Sequence, residues 1–164
     1  MKKTLFIRMK NKLLWIMVAI VAIMVVDKCV NNNRVVFKDN NECYRACRED
    51  LLACIALVED YSETPYHCGA KWTIGYGSTV LPDGSPVTKK TPKCTKSQAK
   101  DYVYAHCDKR IKPFLQYIKP VLTKEEMLGV CLFIYNVGGE AFSGHRANGT
   151  KCGNPSAFLV SLNN

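Results

Sequence analysis

The most concentrated apolar run in the chain is residues 13–26, LLWIMVAIVAIMVV, fourteen positions without a charge. That is the length of a secretory signal core and short for a membrane-spanning helix. Lys2, Lys3, Arg8, Lys10 and Lys12 precede it with no acid among them. The basic flank is therefore expected to stay in the cytoplasm while everything after Asp27 is carried outward. No A-x-A pattern follows the run, and Asp27-Lys28 before Cys29 is unlike a lipoprotein signal. Residues 1–28 read equally as a cleaved signal peptide or as a retained signal-anchor.

Residues 29–41, CVNNNRVVFKDNN, are polar and Asn-rich and read as a linker. The pattern then turns helical: Cys47, Leu51, Ile55 and Val58 recur at helical spacing with Leu52 widening the stripe, behind a cap at Asn40 or Asn41, to about Tyr61. Glu59 falls at the edge of that apolar face, near the helix end. Residues 61–70, YSETPYHCGA, read as turn-rich, and residues 71–76, KWTIGY, have the β-branched and aromatic character of a strand. Residues 78–92 turn at Pro82-Asp83-Gly84 within a short antiparallel region. Thr95-x-x-Gln98 is a capping box opening a helix to about Ile111, and Pro113–Tyr117 a further short one. Thr123-x-x-Glu126 is a second box before the apolar helix 127–137, stopped by Gly138-Gly139. Residues 144–155 read as a loop, and Pro155 opens a last short helix to Leu162.

These elements predict one α+β domain over residues 42–164, with a small antiparallel sheet lobe beside one helix and a mostly helical lobe. A cleft between two such lobes suits an extended polymer. The 164 residues suffice for one good core and not for two. The net charge of +9 falls to +4 once the five cations of residues 1–12 are set aside. That mild excess suits a polyanionic surface, and no Lys/Arg run with interleaved aromatics points to nucleic acid. Nine cysteines, carried to an oxidising compartment, are expected to form disulfides, with at least one thiol left over or paired between chains because the count is odd. Cys43-x3-Cys47 with three scattered histidines is a poor zinc pattern, so no metal or other cofactor is expected.

The candidate chemistry lies in residues 59–77. A helix ends in the Glu59 carboxylate beside an apolar face, and the following chain carries the Cys68 thiol and the Thr73 hydroxyl. Partial burial disfavours a charged carboxylate, which is what a general acid at neutral pH requires. On spacing alone, a solvated Glu59 and a Cys68 engaged in a disulfide fit better.

The stretch resembles the catalytic signature of the phage-type lysozymes, glycoside hydrolase family 24. In that pattern Glu, eight residues, then Asp or Cys, and about five more lead to the Thr of a T-[IV]-G-[YI]-G strand. Here Glu59 is followed by eight residues, Cys68, four residues, and TIGYG at 73–77, with Ser78 where His is usual. Residues 133–138, FIYNVG, followed by Ala141-Phe142, are similar to the family's F-x-[FY]-N-V-G helix end. Residues 155–164, PSAFLVSLNN, resemble its next helix. The resemblance implies a lysozyme-like fold and hydrolysis of the β-1,4 bond between N-acetylmuramic acid and N-acetylglucosamine. It assigns Glu59 as general acid, Cys68 as base or nucleophile if its thiol is acidified, and Thr73 as the holder of the attacking water. Tyr76 and Asn136 would line the cleft as substrate-binding residues, unless Tyr76 packs in the core and Asn136 caps its helix.

Peptidoglycan is the implied partner. The bacterial inner membrane would be a second through residues 13–26, with the domain in the periplasm or outside and no obligate protein partner. Three departures mark the chain. The segment between Cys68 and Thr73 is one residue short, residues 143–154 are an insertion, and the chain stops where relatives continue with further helices. The last leads us to expect truncation and an uncovered apolar patch beside helix 127–137. The alternatives are a catalytically impaired, membrane-anchored remnant that binds wall without cutting it, and a thiol hydrolase using Cys68 with a distant His.

Overall fold

The computed structural model describes residues 35–164, so the expected signal or anchor, most of the expected linker and Cys29 lie outside the described residues. Helix α1 (Asn40–Val58) opens the described fold and is followed by the antiparallel strands β1 (Ser62–Cys68) and β2 (Lys71–Gly75). Helix α2 (Lys96–Arg110), a 3-10 turn (Lys112–Tyr117), α3 (Lys124–Val137), α4 (Gly139–Ser143) and α5 (Ala157–Leu162) complete it. The predicted α+β class, a small antiparallel sheet beside mostly helical elements, therefore holds. Among the described residues no helix is long and apolar enough to cross a membrane.

Local chemistry sets most helix ends. Thr95 and Thr123 both form reciprocal capping boxes, with Gln98 and Glu126, at the two positions read from the sequence. The start of α1 differs from expectation. Asp39 caps it, accepting from the Glu42 backbone N–H at 2.8 Å. Asn40 instead ties α1 to the segment before α3, donating to Pro120 O at 2.9 Å and accepting from Leu122 N at 3.0 Å. Similarly α5 is capped by Ser156, one residue after Pro155.

Residues read as turn-rich form strand β1. Pro65 removes a ladder donor, and the pairing shifts register between Ser62 and Tyr66, so the strand is bulged and its alternation hidden. The expected antiparallel region at 78–92 is reduced to two isolated bridges, Ile74 with Ser78 and Val80 with Pro86.

One core joins the lobes. Helix α1 packs its Cys43, Tyr44, Cys47, Leu51, Leu52 and Ile55 face against α3, whose Met127, Val130, Cys131 and Ile134 are also buried. The expected uncovered patch beside helix 127–137 is absent: of its large apolar residues only Val137, 43% exposed at the very end, faces solvent. The cover comes from segments not credited with core residues. Phe142 of α4 and Phe158 of α5 close on Phe133, with Phe133–Phe158 ring centroids 4.9 Å apart. The expected disulfides do not form among the described residues either. Cys43, Cys47, Cys107 and Cys131 converge from α1, α2 and α3 as buried core thiols, and Cys68 and Cys152 are exposed free thiols. Burial pushes Cys43 and Cys107 up to about 12, so both remain protonated and behave as small apolar groups.

Candidate active site

Glu59 is the C-cap residue of α1, half-buried, its N–H bonded to Ile55 O at 2.9 Å while its own backbone has left the helix. The helix thus delivers the carboxylate to its end, at the edge of the apolar face, as the periodicity indicated. What meets it there is set by the hairpin. In an antiparallel pair directly opposite residues project to the same face, and alternate residues along a strand do likewise. Tyr66 lies opposite Thr73 and Cys68 opposite Lys71 across a two-residue turn. Tyr66, Cys68, Lys71 and Thr73 therefore share one face. His67 and Trp72 take the other, their rings in edge contact at 5.1 Å. The four residues between Cys68 and Thr73 are the turn Gly69-Ala70 and the first two residues of β2, and His67, next to Cys68 in sequence, points away from it.

Tyr66 links this face to Glu59. Its phenol is raised by burial first, then by the negative charges of Cys68, Glu59 and Asp60. The half-buried ring thus stands within electrostatic reach of both the thiol and the carboxylate. A second tyrosine, Tyr135 near the end of α3, is raised by burial, with contributions from Cys107, Glu59 and Tyr66 opposed by Arg110. Its ring lies 5.4 Å from that of His106 on α2. Burial, then the Arg110 charge, pulls His106 down to about 4, so it is neutral at physiological pH. Tyr66, Tyr135, His106 and Arg110 were not singled out from the sequence. The alternation Tyr66-His67-Cys68 against Lys71-Trp72-Thr73 about Gly69-Ala70 carried the signal for the first; the other three arrive from helices remote in the chain.

The turn after β2 closes over the acid. Ile74 and Ser78 exchange both backbone hydrogen bonds at 2.9 Å, folding Gly75-Tyr76-Gly77 into a tight loop. Gly75 has φ +64°, and a Cβ there would stand 2.9 Å from the Ala99 Cβ of α2. Gly77 has φ +89°, and its missing Cβ would stand 3.6 Å from Glu59 Oε2. The first glycine seats the loop on α2; the second lets the backbone pass beside the carboxylate.

The remaining expected site residues are placed less directly. Thr73 is buried, 4% exposed, on the Cys68 face. Tyr76 is 9% exposed and packs its ring on Tyr61 at 5.5 Å, as a core or supporting residue does. Asn136 is exposed, and its side-chain N–H donates to Leu132 O at 2.7 Å, one turn back along α3.

A cavity of about 710 Å³ lies between the lobes. Lys71 and residues 79–82 line its sheet side; His106, Lys109, Arg110, Phe114 and residues 137–141 line its helical side. It adjoins the acid constellation twice: Lys71 is the cross-strand partner of Cys68, and His106 is the ring neighbour of Tyr135.

No curated protein matches the chain at a significant level. A family model does match, over residues 56–152, which hold the Glu59 helix end, the hairpin, the TIGYG loop, helices α2 and α3 and the cavity between them. That model describes phage lysozymes, and the chain belongs to the phage lysozyme family.

Proposed function

We propose that this lysozyme hydrolyses the β-1,4 bond between N-acetylmuramic acid and N-acetylglucosamine in peptidoglycan, and therefore works where that polymer is, in the periplasm or outside the cell. Glu59 protonates the departing glycosidic oxygen. Cys68, as thiolate, either takes a proton from the attacking water or attacks the anomeric carbon itself, and the Thr73 hydroxyl holds the water. Tyr66, on the Cys68 face and within electrostatic reach of Glu59, orients the sugar between them. Asn136 keeps its amide carbonyl for the substrate while its N–H is engaged by Leu132. Tyr76 supports the site by packing on Tyr61.

The observation that carries the reading is the single face holding Tyr66, Cys68 and Thr73, with Tyr66 sensing the Glu59 carboxylate as well as the Cys68 thiol. The close pass of Gly77 beside Glu59 supports the same assignment.

The test is release of new reducing sugar ends from purified peptidoglycan by the full chain. Glu59→Gln should reduce the rate by about 100-fold or more, the scale of a lost general acid. Cys68→Asp should retain activity where Cys68→Ala does not. A chain that binds peptidoglycan without cutting it, with Glu59→Gln indistinguishable from wild type, would support the anchored, impaired remnant. New amino groups in place of reducing ends would identify a peptidase.

A further inference from the structure

The core where α1 packs on α3 holds chemistry that the glycosidic reaction leaves idle. Four thiols converge there, Cys43 and Cys47 from α1, Cys107 from α2 and Cys131 from α3, none more than 1% exposed. No group of three or more histidines, cysteines or carboxylates among the described residues is arranged to hold a metal ion, which leaves the thiols one another as reaction partners. Their contacts sort them. Cys43 donates to Thr123 O, at the cap of α3, at 3.4 Å. Cys107 feels Cys47 only after burial, Asp108 and Arg48. Cys47 and Cys131 differ from both, because their side chains are hydrogen-bonded to each other across the α1–α3 interface. The Cys131 thiol donates to the Cys47 sulfur, which raises Cys131 far above the ordinary thiol value and lowers Cys47. Cys47 in turn donates to Tyr44 O at 3.3 Å. Packing asks only for a small apolar side chain at each position, which alanine or valine would supply. It does not ask for two sulfurs in contact from helices remote in the chain, which is the starting geometry of a disulfide.

We infer that Cys47 and Cys131 are a disulfide pair, joined when the chain folds in contact with an external disulfide and left as thiols, as described here, when it folds without one. The oxidant is that external disulfide. The thiolate of one cysteine attacks it, forming a mixed disulfide and expelling one donor thiolate. The thiolate of the other cysteine then attacks the chain's own sulfur in the mixed disulfide and expels the second donor thiolate. The chain loses two protons and two electrons, and the donor leaves as two thiols. Both sulfurs are fully buried in the folded chain, so the exchange precedes the closing of α1 on α3, and closure seals the pair in the state it has reached. A Cys43–Cys47 bond, four residues apart on one helix, would constrain α1 alone. A Cys47–Cys131 bond encloses residues 48–130, which carry the hairpin, the TIGYG loop and α2. It also ties the helix that ends in Glu59 to the helix bearing Tyr135, one turn beyond Cys131, whose phenol is raised by burial first and in part by the Glu59 charge. The pairing stands independently of which bond the enzyme cuts.

The experiment refolds the full chain from urea with oxidised glutathione as the disulfide donor and, in parallel, with dithiothreitol. Remaining thiols are alkylated in denaturant, and unreduced peptides are mapped by mass spectrometry. The oxidised protein should yield the peptide of Cys47 cross-linked to that of Cys131, separable by reduction. Its urea midpoint should stand about 1–2 M above that of the reduced protein, the scale for closing a loop of this length. In Cys47→Ala and in Cys131→Ala the midpoint should no longer depend on the donor, whereas Cys43→Ala and Cys107→Ala should keep the difference. Each variant is compared with itself, so the stability lost with a buried sulfur cancels. Where an alanine variant does not fold, the wild-type peptide map and midpoints decide. Protein folded in dithiothreitol, then transferred to oxidised glutathione without unfolding, should keep both thiols. Formation of the bond there would overturn the sealing of the pair by closure. Recovery of Cys47 and Cys131 as thiols after refolding with the donor, their joining to other cysteines instead, or a cross-link that leaves the midpoint unchanged would overturn the pairing.

Discussion

The loop 75–77 holds two glycines with positive φ that do different work, and substituting each with alanine separates them. At Gly75 an alanine takes on φ +64°, at a cost of about 1–2 kcal/mol, and its Cβ would stand 2.9 Å from Ala99 Cβ on a rigid helix. Overpacking of this kind costs a further 1–3 kcal/mol or so, for a total of about 2–5 kcal/mol. That is a large share of a total stability of roughly 5–15 kcal/mol. At Gly77 the backbone cost is similar, but the new methyl stands 3.6 Å from Glu59 Oε2, an ordinary contact, so the loss stays near 1–2 kcal/mol. Urea unfolding should therefore rank Gly75→Ala well below Gly77→Ala in stability. Turnover by the folded fraction should rank them the other way, Gly77→Ala losing about tenfold because the methyl crowds the acid on the side a sugar must approach. A cycle with Ala99→Gly isolates the packing term. Alone it costs about 1–2 kcal/mol, from helix propensity and a lost buried methyl. Combined with Gly75→Ala it should return about 1–2 kcal/mol, incompletely because the Ala99 Cα remains at 3.4 Å. If the two changes add within about 0.5 kcal/mol, Gly75 does not seat the loop on α2 and the reasoning is wrong.

Two further outcomes follow from the core. His106 is held neutral, its folded value of about 4 below the ordinary 6.5, so its contribution to stability is present above pH 6.5 and is lost as pH falls towards 4. Unfolding free energies at pH 7 and pH 4 should differ by up to about 3 kcal/mol more in wild type than in His106→Leu; an identical pH dependence would show that the imidazole is not desolvated. In reduced protein, site-resolved alkylation should modify Cys68 and Cys152 within minutes and leave Cys43, Cys47, Cys107 and Cys131 untouched until denaturant is added. Rapid labelling of Cys131 in the native state would contradict the packing of α1 on α3.

How far the sequence carried depended on whether the governing interactions are local. Thr95 and Thr123 could be read as helix starts because a capping box is complete within four residues. Strand β1 could not, because Pro65 and the bulge beside it suppress the alternation that marks a strand. The uncovered patch was expected beside helix 127–137 because Phe142 and Phe158 lie in segments whose apolar residues are too few to show a period; only the fold brings them onto Phe133. The site divides in the same way. The spacing of Glu59, Cys68 and Thr73 was legible, but the sharing of one face by Cys68 and Thr73 depends on register, which the two-residue turn sets and the spacing alone does not. A slip of one residue would put Cys68 on the face of Trp72 and leave the same sequence motif with no site. Tyr66 is the residue that would report such a slip. Lying on the hairpin and raised by burial first and then by the charges of Cys68, Glu59 and Asp60, it senses the helix end and the hairpin together, so its hydroxyl titration should fall towards the ordinary range in a folded variant that uncouples them.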